Sequence, residues 1–258
     1  MSVLLKETTA SGICTLTLNR PDSRNALSDE LIAELQHALN ECGADNAVQV
    51  IIIAAAGSVF CAGHDLREVK QKTALEELRD LFMRCSTMMQ AIVNLPKPVI
   101  AQVNGMATAA GCQLVASCDL AIASPAARFA TPGVHIGLFC STPMVALARK
   151  VGRAHAMQML LLGEPVAAEQ AMHYGLINEV IATEQLRERC LQMGEKLAQK
   201  SPLTLAIGKE AFYRQCEMPL ADAYDYCNEV MAQNMMRNDA QEGINAFIEK
   251  RPPVWSSS

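Results

Sequence analysis

The chain has 258 residues, half of them hydrophobic, and 22 Lys and Arg against 27 Asp and Glu give it a net charge of −5. That length suits one large domain, or one domain with a small appendage. The mildly acidic balance makes it a poor general binder of nucleic acid or anionic membrane, and no stretch reaches the roughly 18 uninterrupted apolar residues of a membrane span.

Cys14–Leu18 alternates with period two and reads as a strand. Ser28 is placed to cap a helix whose Leu31, Leu35 and Leu39 share one face. Val48–Ile53 is rich in β-branched residues and reads as a buried strand. A helix follows over Leu75–Val93, then a strand over Pro98–Val103 that ends at the turn pair Asn104-Gly105. Residues 109–117 read as a short helix and Asp119–Ala123 as another strand. After residue 142 strands nearly stop. Helices are expected over Arg153–Leu162, Ala167–Tyr174 and Thr183–Lys200, the last with Leu186, Cys190, Met193 and Leu197 on one face. Ser201-Pro202 is expected to open one long helix running towards Met236, with a final helix over Gln241–Lys250. The pattern is an α/β body followed by a helical tail.

Ten cysteines show neither a C-x-x-C pair nor zinc spacing, and they read as reduced, small core residues. The opening MSVLLKETTASG has no signal-peptide or Arg-rich transit pattern, so a cytoplasmic location is expected.

Two strand-to-helix junctions carry the candidate chemistry. Phe60–Asp65 (FCAGHD) and Asn104–Gly111 (NGMATAAG) are built of small residues, which let a ligand approach the backbone. The second leads into a helix start, with its unsatisfied N–H groups and partial positive charge. Side by side, two such loops could hold one oxyanion between two backbone N–H groups.

With Leu18–Pro21 (LNRP), Asn25-Ala26-Leu27, Lys97–Ala101, Ser117–Leu120 (SCDL), Phe129–Gly133 (FATPG) and Gly175–Val180 in that order and spacing, the chain resembles the crotonase, or enoyl-CoA hydratase/isomerase, family from residue 3 to about residue 254. The resemblance implies an α/β spiral of ββα turns (residues 1–195) with a C-terminal helical region (196–258) used in assembly, in homotrimers or in hexamers made of two trimers. It implies an acyl-CoA thioester as ligand, with no cofactor beyond the CoA of the substrate. His64 and Ala110 would supply the two polarising N–H groups. CoA would lie along Arg24, Ala26, Ala62, Asp65 and Leu66, and the acyl chain would run towards Thr108, Pro132, Gly133 and Leu138.

The sequence departs from the family at two positions. Hydratases resembling this chain carry Glu where Gln113 and Gly133 stand. An amide cannot titrate near neutrality, and glycine offers no group at all. Each lost acid or base costs roughly 10²–10⁴-fold, so efficient hydration is not expected. Restoring both carboxylates would be expected to restore it. Other groups that could act are His135 and Cys140, the latter as a nucleophile for thioester hydrolysis. A non-catalytic acyl-CoA binder is the alternative.

Overall fold

The computed structural model describes residues 2–256. Its strands are β1 (Leu4–Thr8), β2 (Ile13–Leu18), β3 (Val50–Ala55), β4 (Val59–Cys61), β5 (Val99–Val103), β6 (Met106–Thr108), β7 (Leu120–Ala123), β8 (Arg128–Ala130), β9 (Val166–Ala167) and β10 (Glu179–Val180). Its helices are α1 (Asp29–Ala44), α2 (Leu66–Gln71), α3 (Leu75–Asn94), α4 (Ala110–Ser117), α5 (Pro143–Lys150), α6 (Arg153–Leu162), α7 (Ala168–His173), α8 (Leu186–Ala198), α9 (Pro202–Gln215), α10 (Leu220–Met235) and α11 (Asn238–Glu249).

A six-stranded sheet runs β1-β2-β3-β5-β7-β10, parallel except for the β1–β2 pair. A smaller sheet runs β4-β6-β8-β9, parallel except for β8–β9. The chain leaves the large sheet for the small one three times, from β3 to β4, β5 to β6 and β7 to β8. A helix follows each time, giving the expected spiral of ββα turns. Successive turns press so close that a side chain at Gly105 could not fit, since its β-carbon would stand 2.0 Å from Ser58 O.

Both faces of the large sheet are buried, which explains the unbroken apolar run of β3. Ile51 and Ile53 join the main core with Leu31, Leu35 and Leu39 of α1 and Met88 and Ile92 of α3. The alternate residues Val50 and Ile52 face Leu186, Cys190, Met193 and Leu197 of α8 on the other side. Ser28 caps α1 as expected, its Oγ accepting from Leu31 N at 3.1 Å.

The tail differs from expectation in two respects. The long helix is two helices, broken between Gln215 and Leu220. Pro219 stands in the break as the residue capping α10. Proline lacks an N–H and disfavours helical backbone in the residue before it. The last helix also starts earlier than expected, at Asn238. Eight of the ten cysteines are buried, as read, but Cys216 is exposed and Cys227 half-buried. The tail is tied to the body by a polar node. Lys209 Nζ donates to Asp119 Oδ2 at 2.7 Å, and Tyr213 Oη donates to Asp119 Oδ1 at 2.9 Å. Among the described residues no helix is long and apolar enough to cross a membrane.

Candidate active site

The site is assembled from three loops. The first, between β2 and α1, is held by Asn25, which is fully buried and left-handed (φ 52°), a region Asn tolerates better than most residues. Its Nδ2 donates to Ala56 O at 2.8 Å and Val59 O at 2.7 Å, and its Oδ1 accepts from Arg20 N at 2.8 Å. The second loop, after β4, is stitched to the first. Ala62 N donates to Arg24 O (3.1 Å), Leu27 N to Gly63 O (2.8 Å) and Asp65 N to Leu27 O (3.0 Å). Arg20 completes the join, donating to Ala26 O at 2.5 Å and to Asp65 Oδ2 at 3.1 Å. Asp65 in turn caps α2 by accepting from Arg67 N. Four of the residues expected along CoA, Arg24, Ala26, Ala62 and Asp65, are therefore brought together. The fifth, Leu66, begins α2 and is exposed.

This stitching decides where the His64 N–H points. Backbone groups alternate along an extended segment. Gly63 O and Asp65 N face Leu27, so the His64 N–H faces away from it. It donates to nothing among the described residues.

The third loop joins β6 to α4. Ala109 N donates to Ala130 O at 2.9 Å, and Ala109 adopts φ 49°, ψ −117°, a costly conformation for a residue with a β-carbon. Immediately after it, Ala110 opens α4, and its N–H also donates to nothing among the described residues. The two junctions touch. A β-carbon on Gly63 (φ 86°) would lie 2.9 Å from Ala109 Cβ, 3.0 Å from Thr108 O and 3.2 Å from Ala110 N. One on Gly111 would lie 2.1 Å from Cys61 O. The run of small residues is thus what lets α4 begin against the end of β4, with Ala110 beside Gly63-His64.

Polar atoms around this junction lack partners. Among the described residues, the buried Nδ1 and Nε2 of His64, Oε1 of Gln113 and Oγ1 of Thr131 form no hydrogen bond. Gln113 is 5 % exposed and Thr131 wholly buried. Gln113 N bonds to Ala109 O, and Thr131 follows the Ala130 that holds Ala109 N, so both flank the strained residue. The His64 ring meets Phe82 edge-on at 5.4 Å. Burial pushes the imidazole down to about 4, which keeps it neutral.

The acyl-side residues are also gathered. Thr108 pairs with Ala130, two residues before Pro132, and Leu138 N donates to Gly133 O at 2.9 Å. Gly133 is closed in, since a β-carbon there would lie 2.9 Å from Leu138 O and 3.0 Å from Cys140 Sγ. Burial pushes the Cys140 thiol up, so it is a protonated, packed sulfur rather than an activated nucleophile. His135 is exposed, and its imidazole lies against Gly163 at the C-terminal end of α6.

Sequence reading did not single out Arg20, Asn25, Phe82 or Thr131. Arg20, Asn25 and Thr131 lay within quoted motifs, and a polar residue in a tight apolar loop is itself a signal. Nothing near Phe82 in the chain announces what it faces.

Residues 8–258 match the family model described as Enoyl-CoA hydratase/isomerase. The chain is 47% identical over 247 residues to "Enoyl-CoA hydratase domain-containing protein 3, mitochondrial" of Xenopus laevis, covering 96% of this chain and 84% of that one. The crystal structure of an enoyl-CoA hydratase from Mycobacterium smegmatis superposes with a TM-score of 0.95 at 48% identity, over 98% of both chains. That of human enoyl-CoA hydratase domain-containing protein 3 gives 0.94 at 44% identity, over 98% of this chain and 100% of that one. The chain belongs to the enoyl-CoA hydratase/isomerase family.

Proposed function

We propose that this protein binds an acyl-CoA thioester and polarises its carbonyl between the N–H groups of His64 and Ala110. The observation that carries the reading is the pair of undonated N–H groups in touching loops, one of them held by a strained residue. Such donors are most useful when negative charge develops on the carbonyl oxygen, as it does in an enolate. The stitched segments Arg24–Leu27 and Ala62–Asp65 form the seat for CoA. The acyl group runs past Thr108 towards Pro132, Gly133 and Leu138. Gln113 Oε1 and the Thr131 hydroxyl orient a water or a hydroxyl on the acyl chain, the amide accepting and the threonine donating.

Efficient hydration is not part of the reading. No carboxylate stands at 113 or 133 to activate water or to protonate the α-carbon. Thioester hydrolysis through Cys140 is disfavoured by its raised, protonated thiol. Enolate chemistry and simple acyl-CoA binding remain as the two forms of the function, and turnover separates them. Calorimetry should show butyryl-CoA binding well above free CoA, while crotonyl-CoA is hydrated below the roughly 1–10³ s⁻¹ typical of enzymes. Equal affinity for CoA and its esters would end the proposal.

Assembly into trimers or hexamers is supported by the apolar side chains left exposed on the tail, among them Phe212, Leu220, Tyr224, Phe247 and Ile248. A solution mass near the monomer's 27.9 kDa by light scattering would refute it. The compartment is decided by imaging a tagged full-length chain, the curated relatives being named mitochondrial.

A further inference from the structure

Outside the site, two thiols face each other. Cys14 lies on β2 and Cys42 in the last turns of α1, and both are wholly buried. The Cys42 thiol donates to Cys14 Sγ with the sulfurs 3.4 Å apart, the sole sulfur–sulfur contact of this kind among the described residues. Two lysines and two carboxylates, Glu41 and Asp45, lie around the pair. Lys97 Nζ donates to Cys42 O and to Asp45 O, each at 2.6 Å, and Lys6 on β1 pairs with Glu41 at 3.0 Å.

We propose that Cys14 and Cys42 form a site of reversible oxidation, at which a hydroperoxide converts the two thiols into a disulfide tying β2 to α1. The Cys14 thiolate attacks the peroxide O–O bond, forming a sulfenic acid and releasing the alcohol or water. Cys42 sulfur then displaces hydroxide from that sulfenic sulfur, and its proton leaves with the hydroxide as water. Two thiols are oxidised by two electrons, the peroxide is reduced by two, and a small dithiol reverses the change. The sulfurs need close only from 3.4 Å to the roughly 2.05 Å of a disulfide.

The chemistry of the pair sets it apart from the other buried cysteines. The hydrogen bond from the Cys42 thiol, helped by the Thr8 hydroxyl and the Lys6 ammonium, pulls Cys14 down against the opposing effect of burial, so Cys14 is the more readily ionised sulfur of the pair and the one that attacks. Burial pushes Cys61, Cys85, Cys112, Cys118 and Cys190 up to about 12 and leaves them inert. Because neither sulfur reaches the surface, the rate is set by local opening at this edge of the sheet. Cys42 stands about 20 Å along α1 from Ser28, so the link clamps the end of the helix remote from the Arg24–Leu27 loop. It acts on stability and leaves that loop free.

The test is to treat the folded protein with hydrogen peroxide, alkylate the remaining thiols, and map the peptides without reduction. A Cys14–Cys42 link is expected, with Cys61 in the same stretch still alkylated. Tm should rise by about 5–10 °C and fall back on adding dithiothreitol. Cys42→Ser, treated alike, should show neither link nor shift. Wild-type protein in which Cys14 and Cys42 are both recovered as alkylated thiols, or Cys14 as an unlinked sulfinic acid, would overturn the proposal.

Discussion

Cys140 Sγ lies 3.0 Å from the point where a β-carbon on Gly133 would stand, so the two residues occupy one space between them. The missing carboxylate at 133 is therefore not an empty position awaiting a side chain. Gly133 is outside the positive-φ region, so room rather than backbone is the obstacle.

The expectation that Gln113→Glu with Gly133→Glu would suffice to create hydration is revised by this packing. Gly133→Glu should destabilise by about 1–3 kcal/mol, as overpacked sites do. The double variant should gain little crotonyl-CoA hydration. Adding Cys140→Ala removes the sulfur and leaves the backbone at Leu138 O (2.9 Å) and at the residue 140 nitrogen (3.3 Å) to shift, so the triple variant should recover part of the lost stability and hydrate faster than the double. Denaturation midpoints and the loss of enoyl-thioester absorbance check this. A double variant as active as the triple would show that Cys140 is no obstacle.

Ala109 should be improvable. Its φ of 49° and ψ of −117° cost roughly 1–3 kcal/mol for a residue with a β-carbon, against the roughly 0.5–1 kcal/mol that glycine's extra chain entropy costs. Ala109→Gly is expected to stabilise the protein by about 1 kcal/mol, and Ala109→Val to destabilise it by more than that. Urea titration reads both. A glycine variant less stable than the parent would mean that the strain is relieved by some other contact.

His64 should leave a mark on the pH dependence of stability. Its folded value is about 4, against about 6.5 in an unfolded chain. Between those values the unfolded state binds the proton and the folded state does not. The stability owed to neutral His64 is whole above about pH 6.5 and is lost progressively as pH falls towards 4. His64→Leu should flatten the stability profile across that window relative to wild type. Parallel profiles for the two proteins would show that the imidazole is not kept neutral.

Much of the fold can be read from the chain because its signals are local. Ser28 before a 3.6-residue repeat sets the start of α1, and the unbroken Val50–Ala55 run marks a strand covered on both faces. The small sheet escaped because β4, β6 and β8 have three residues each, too few for a period to show. β1 escaped because four of its five residues are exposed and do not alternate. At the site, the small residues of both junctions spoke for themselves, since close approach of backbones forbids anything larger. The filling of the Gly133 position by Cys140, and the placing of Thr131 and Phe82, depend on how distant turns of the spiral meet. No local pattern carries that.

The most direct test of the central claim is a crystal structure of the protein with butyryl-CoA. The thioester oxygen is predicted to lie about 2.7–3.1 Å from the backbone nitrogens of both His64 and Ala110. A carbonyl bound elsewhere, or within reach of only one of the two nitrogens, would contradict the account.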